Sequence, residues 1–388
     1  MSSSGPADGL LARVRAVTPL IAERAAEAEL ARKPDDDVIE ALKATGVFRS
    51  FVPKRFGGYE IDLELFLDIG IAVSEACAST GWITTFYMEH NWLLGNFAPE
   101  LQEEVFSRQP FVLAPGSVNP KDGVATPKGE GYELTGHWRF GTGIVHADWV
   151  VLTGRIATEP NGPPRLFLVR PDAVEVRDTW HVEGMAATGS RDIVANAVYV
   201  PERQVGLRAM GVTGVSGEYL HSIPVLPMLS LTAAIPSVGA ARRAVELFRR
   251  LLAERVPFGT TKLQSHRAPS QMRLARGLAD VRAAETVLRA VARDLTAHAR
   301  GGPQLSFMDQ IQMRLTIAHV VRDCRRVVRE VMEGSGASVR YLDQELSRIS
   351  RDVQMMGAHT VFDLDLVAEQ CGRALLEANA PLFPLQST

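Results

Sequence analysis

Apolar residues near the start of the chain recur at three- and four-residue steps. Leu10, Leu11, Val14, Val17, Leu20 and Ile21 form one stripe of an amphipathic helix. Asp35, Asp36 and Asp37 then offer capping oxygens to a second helix that ends near Gly46. Pro53 and the pair Gly57-Gly58 mark a loop, and a third helical run passes through ELFLDIGIAVSEACA. Gly81 is expected to interrupt, with helical spacing resuming over 83–97. From about 111 the period shortens. The runs FVLAPGSV, YELTG, WVVLTG, RLFLVR and IVANAVYVP alternate with Gly, Pro, Asn and Asp, which reads as strands joined by turns. From about 225 the helical period returns, in four long segments near 227–255, 268–300, 304–333 and 345–378. Pro257, Gly259, Pro269, Gly301-Gly302-Pro303, Gly334 and Gly336 separate them. The third carries the stripe Ile311, Leu315, Ala318, Val321, Cys324, Val328 and Val331.

This order predicts an α+β protein in three parts: a helical domain over 1–110, a β-barrel or sandwich over 111–208, and a four-helix bundle over 209–388. A length of 388 residues suffices for a large core. A net charge of −3 gives no reason to expect nucleic acid or an anionic membrane as partner. Cys77, Cys324 and Cys371 are odd in number and widely spaced, which suggests buried thiols in a reducing cytoplasm and no metal site. MSSSGPADGL has no basic or apolar signal region, and no apolar run reads as a membrane span.

No glycine-rich dinucleotide fingerprint follows a strand; GTGIVH and GSGASV both break the pattern. No P-loop, zinc-protease helix, nucleophile elbow or paired C-x-x-C occurs. Electrons, if handled, arrive with a group bound outside a dinucleotide fold.

Four segments carry a resemblance across essentially the whole chain. They are 130–154 with WRFGTG, 180–194 with TGSRD, 255–271 with RVPFG, and RDVQMMGAHT at 351–360. Together they resemble the acyl-CoA dehydrogenase fold. In those dehydrogenases a catalytic glutamate commonly follows such an Arg-Asp pair by eight residues. Here Thr360 stands eight residues after Asp352, with His359 before it. That departure resembles the oxygenase components of two-component flavin monooxygenases. The resemblance implies reduced FMN or reduced FAD from a separate NAD(P)H:flavin reductase, O2 as co-substrate, and a C4a-hydroperoxide that oxygenates an aromatic or heteroatom substrate. It also implies a homotetramer.

The same resemblance assigns roles. Thr142, beside Gly143, would accept a hydrogen bond near flavin N5; the competing reading is a turn threonine bonding its own backbone. Ser190 would face the flavin or simply support its loop. Arg255, Phe258 and Thr261 would reach a neighbouring subunit's flavin pyrophosphate; otherwise they are a solvated helix end. Glu330 stands where an amide residue commonly helps hold the adenylate, which favours FMN. His359, expected on a helix, and His90 would manage the substrate's proton, or be packed core histidines. Trp82, Phe86, His90, His221 and Phe362 would line the substrate pocket, closed by 214–229 with Tyr219. Two rivals remain: an acyl-CoA dehydrogenase or oxidase, and a flavin carrier without turnover.

Overall fold

A computed structural model describes residues 7–117, 123–206 and 219–376. Tyr219's side chain and the first part of the 214–229 segment lie outside them. Five helices come first: α1 Leu10–Ala31, α2 Asp36–Thr45, α3 Leu63–Ala76, α4 Ala78–Leu93 and α5 Pro99–Arg108. The Asp35 side chain accepts Val38 N–H and Asp62 accepts Leu65 N–H, which satisfies orphan amides at the starts of α2 and α3. Gly46 ends α2 at φ 79°, a conformation that favours glycine.

The expected break at Gly81 is absent. The chain turns at Cys77, whose φ is −157°, and Gly81 lies inside α4. Its role is close approach: a Cβ there would stand 2.7 Å from Ser74 Cβ on α3. Thus α4 is one uninterrupted rod, and its side chains hold a fixed phase along the site.

Strands β1 Gly116–Ser117, β2 Gly123–Pro127, β3 Gly131–Gly141, β4 Val150–Ile156, β5 Arg165–Val169, β6 Glu175–Arg177, β7 Arg191–Pro201 and β8 Val205–Gly206 form one sheet. The order is β6-β7-β3-β2-β4-β5-β8, with β1 beside β4. Antiparallel pairing dominates; β2 and β1 each run parallel to β4. Strands β2 and β6, short and polar on one face, have no counterpart in the apolar runs of the sequence. The β3–β7 register slips between Trp138 and Gly141, and β3 ends there, just before Thr142.

The remaining helices are α6 Val225–Glu254, α7 Ala268–Ala299, α8 Phe307–Ser335, α9 Glu345–Gly357 and α10 Leu364–Leu376. Helix α6 is long and apolar enough to cross a membrane, contrary to the sequence reading, but 89% of its apolar window is buried inside the fold. It is a core helix. The expected fourth bundle helix is two: α9 stops, a single 3-10 turn covers Thr360–Phe362, and α10 begins after Asp363. His359 therefore caps a turn and does not ride a helix.

One continuous apolar cluster runs from Leu10 and Leu42 through Phe66, Met88 and Ile235 to Val328 and Val353. The first and last helical segments share this core. Leu134, Trp138, Leu152, Phe167 and Ile193 form a separate cluster within the sheet.

Candidate functional site

Helix α4 is the spine. Trp82, Phe86 and His90 follow one another at four-residue steps and so share a face. Their rings touch in series. Trp82 stacks on Phe86 with centroids 4.8 Å apart, and Phe86 meets His90 edge-on at 5.7 Å. Trp82 also meets His359 at 5.5 Å, and His359 lies 6.1 Å from Phe362. Residues far apart in sequence thus form one aromatic ladder.

The turn after β3 docks on the same helix. Tyr87 Oη donates to Gly143 O at 2.5 Å, and Gly143 N donates to Thr188 O at 2.9 Å. Gly143 adopts φ 72° with Tyr87 Oη where a side chain would begin, so only glycine fits. Trp82 Nε1 lies 3.4 Å from Thr142 Oγ1. Thr142 Oγ1 lies 3.1 Å from Ser190 Oγ, which lies 2.6 Å from Thr188 Oγ1. Thr188 Oγ1 donates to Met185 O at 2.8 Å.

These contacts have one consistent direction. A carbonyl only accepts, so Thr188 spends its proton on Met185 O and accepts from Ser190. Ser190 in turn accepts from Thr142. Thr142 keeps an oxygen lone pair, and the indole N–H of Trp82 is the donor nearest to it. The half-buried Thr142 hydroxyl is therefore an acceptor toward any group in front of it.

The two histidines differ in the same way. His90 is buried, and its Nδ1 lies 2.7 Å from Ala114 O. Facing a carbonyl, Nδ1 carries the proton, so Nε2 is the basic nitrogen. Burial pushes its pKa down to about 4, against a smaller upward pull from the Ala114 bond. His359 Nδ1 accepts a long bond from Val361 N–H at 3.4 Å, which leaves the proton on Nε2. Burial pushes this pKa down to about 4 as well. Both rings are neutral at pH 7; one presents a lone pair and the other an N–H.

Asp352 holds the two halves together. Buried on α9, it accepts Met185 N–H at 2.6 Å, and burial raises its pKa to about 7. Arg351 reaches Glu29 on α1 at 2.5 Å.

His221 lies apart from the ladder. Its ring packs against Gly95, beyond the end of α4, and burial lowers its pKa to about 4. Trp92 Nε1 donates to Leu220 O at 2.7 Å and pins that segment. Arg255, Phe258 and Thr261 lie in the turn after α6. Arg255 Nη1 donates to Ser335 O and covers Gly336, while Phe258 and Thr261 are exposed. No contact among the described residues links this group to Thr142. Glu330 is not a free carboxylate: Arg326 lies 3.2 Å from it and 3.0 Å from Asp280. Arg326 is shared with a second carboxylate and offsets Glu330 only in part, which weakens the sequence argument against an adenylate without removing it.

Sequence reading missed Tyr87, Thr188 and Glu89. For Tyr87 and Thr188 a signal was present, since one stands inside an apolar helix and the other opens TGSRD. Glu89 is fully buried with no hydrogen bond to either carboxylate oxygen.

A family model described as Acyl-CoA dehydrogenase, C-terminal domain, matches residues 231–364. The chain is similar to a pigment production hydroxylase of Rhodococcus sp. (strain ATCC 21145), 34% identical over 375 residues, covering 95% of this chain and 96% of that one. It is also similar to the FADH(2)-dependent resorcinol hydroxylase, oxygenase component, of Rhizobium sp. (strain MTP-10005). That match is 30% identical over 384 residues and covers 95% and 94% of the two chains. Among solved structures, XiaF from Streptomyces sp. in complex with FADH2 and glycerol superposes with a TM-score of 0.90 at 25% identity, over 97% and 96% of the chains.

Proposed function

Because the chain belongs to the oxygenase components of two-component flavin-dependent monooxygenases, we propose that its own residues hydroxylate an aromatic ring bearing an acidic O–H or N–H. The fold is acyl-CoA dehydrogenase-like and the cofactor is reduced flavin. When bound, reduced flavin would supply the two electrons with which one atom of O2 becomes the product hydroxyl and the other water.

The observation that carries the reading is the one-way hydroxyl chain ending at Thr142. It fits a flavin because it offers an acceptor, and a reduced flavin ring carries N–H donors. Trp82 joins that hydroxyl to His359 and, through Phe86, to His90, so substrate and cofactor share one wall. His90 Nε2 takes the substrate's proton. His359 Nε2–H donates a hydrogen bond to oxygen, the reverse of the acceptor role that its sequence position suggests. Helix α4 and the aromatic rings keep water away and set orientation.

The dehydrogenase alternative needs a carboxylate base at the position of Thr360. Asp363 is exposed and caps α10 by accepting Leu366 N–H at 3.0 Å, so it is already engaged. The proposal also includes a homo-oligomer, preferably a tetramer, in which Arg255, Phe258 and Thr261 complete a neighbour's flavin site. Exposure of Phe258 supports it. The working division into segments 1–110, 111–208 and 209–388, a reductase partner in the cytoplasm, and FAD in preference to FMN belong to the same reading. An FADH(2)-dependent relative and a structural neighbour in complex with FADH2 support the last of these.

The test supplies reduced FAD or FMN chemically, under 18O2, with a panel of phenols and indoles. One 18O atom per product with no NAD(P)H present supports the reading. Product oxygen drawn from water, or flavin bleaching by an acyl-CoA thioester, overturns it.

A further inference from the structure

Glu89 is the buried polar group that the mechanism above leaves unused. It is 0% exposed, and neither carboxylate oxygen has a hydrogen-bond partner. His90 Nε2 lies 3.5 Å from Oε2, beyond a hydrogen bond. A second orphan is Thr232 on α6, also 0% exposed, whose hydroxyl has no partner.

The helix register brings these two groups to one level. Gly81 on α4 and Gly239 on α6 both pack on Ser74 of α3. One turn along, a Cβ at Gly70 would stand 2.8 Å from Thr85 Cγ2 and 2.6 Å from Ile235 Cγ2. The next turn of the same three helices holds Glu89 on α4 and Thr232 on α6. On α4, Glu89 stands between the seam of Gly81 and Thr85 and the aromatic face of Trp82, Phe86 and His90. Two polar side chains without hydrogen bonds thus lie on the seam of α4 and α6, behind the aromatic face of α4.

A buried, unpartnered carboxyl is costly and is seldom kept without a use. Burial raises the Glu89 pKa well above the ordinary carboxylate range and so favours the protonated form, which can donate and accept. Thr232 has the same dual capacity.

Resting on the hydroxylase reading, we infer that Glu89 and Thr232 are substrate-recognition residues that bind a second uncharged polar group of the aromatic substrate, a hydroxyl, carbonyl or amide, while His90 takes the first. The site accordingly selects dihydroxylated or acyl-substituted phenols. It disfavours aryl carboxylates, because a substrate anion would add a second ionisable acid beside Glu89, where the described residues pair no lysine or arginine with it.

The test is equilibrium dialysis of phenol, catechol, resorcinol, hydroquinone and 3-hydroxybenzoate against the protein loaded with reduced flavin under argon. Binding is read without turnover, so its outcome is separate from the 18O experiment. The parent protein is expected to bind the best dihydroxybenzene about tenfold or more tightly than phenol, and 3-hydroxybenzoate least tightly. Glu89→Leu should collapse the preference to about twofold or less, and Thr232→Val should narrow it. Glu89→Gln, which can still donate and accept, should retain most of it. The melting temperature of Glu89→Leu should equal or exceed the parent's, since an orphan is removed. A parent without the preference, a Glu89→Leu protein that keeps it, or a Glu89→Leu protein that melts well below the parent overturns the inference.

Discussion

Asp352 Oδ1 accepts the backbone N–H of Met185 at 2.6 Å, across 167 residues of chain. The contact joins α9, which leads to His359, to the loop that carries Thr188 and Ser190. Met185 itself sits at φ 57°, so its loop is held in a costly conformation by such contacts. Asp352→Ala would strand a buried N–H and should lower stability by roughly 1–3 kcal/mol. Asp352→Asn keeps an accepting oxygen and should lose less. Thermal melts of the two variants check the order; equal melting temperatures would mean that the bond adds nothing.

Thr142 is expected to govern coupling. Thr142→Val keeps the shape and removes the acceptor. The fraction of reduced flavin ending as hydrogen peroxide should rise about tenfold relative to Thr142→Ser, which keeps the hydroxyl chain to Ser190. Peroxide and product assays on the same samples make the comparison.

His90 and His359 should fail differently. His90→Ala removes the basic nitrogen and should cost ~10²–10⁴ in product formation with phenols, less with substrates already ionised. His359→Gln retains an N–H donor and should keep more activity than His359→Ala. Because burial holds both imidazoles near pKa 4, product yield should lack an inflection at about 6.5, where free histidine titrates. A clear inflection there, lost in His90→Ala, would contradict the neutral-ring assignment.

Acid should unfold the protein early. His90, His221 and His359 are each lowered to about 4 by burial. Between that value and the ordinary one near 6.5, the unfolded chain holds more protons than the folded one. Their contribution is complete above about pH 6.5 and drains as pH falls toward 4. Glu89 and Asp352 have the opposite sign: burial raises both, so their unfavourable effect grows as pH climbs above the ordinary carboxylate range, and the prediction is that the three histidines outweigh them. Melting temperature against pH should fall across 6.5 to 4, and His221→Gln should flatten the slope.

Much of this was legible because period and punctuation are local. The Leu10 to Ile21 stripe, the Asp35 cap and the Gly46 stop all fall where sequence spacing put them. The failures were failures of context. Gly81 reads as a breaker until Ser74 supplies a reason for a residue without a side chain. Nothing in MMGAHTVF announces that the helix ends at Gly357, because the 3-10 turn is stabilised by the ring of His359 itself. Trp82, Phe86 and His90 were legible as candidate liners, but the protons on Thr142 and the two histidines depend on carbonyls and amides brought in by folding. Glu89 was invisible because an isolated acidic residue in a helix is ordinarily solvated.

The division of apolar clusters has a consequence for inheritance and engineering. Helices from both ends of the chain interlock in one core, whereas the sheet keeps one cluster of its own and shares a second with α5. A chimera that replaces 123–206 from a relative must match the apolar face of α5 that packs on β4 and β5, together with the loops around Trp180 and Met185 that enter the helical core. One that replaces the first hundred residues must also match the buried faces of α6 and α8. Recombination should therefore tolerate crossovers at the edges of the sheet and reject those between the two helical ends, so new flavin-facing loops can be acquired more readily than new substrate walls.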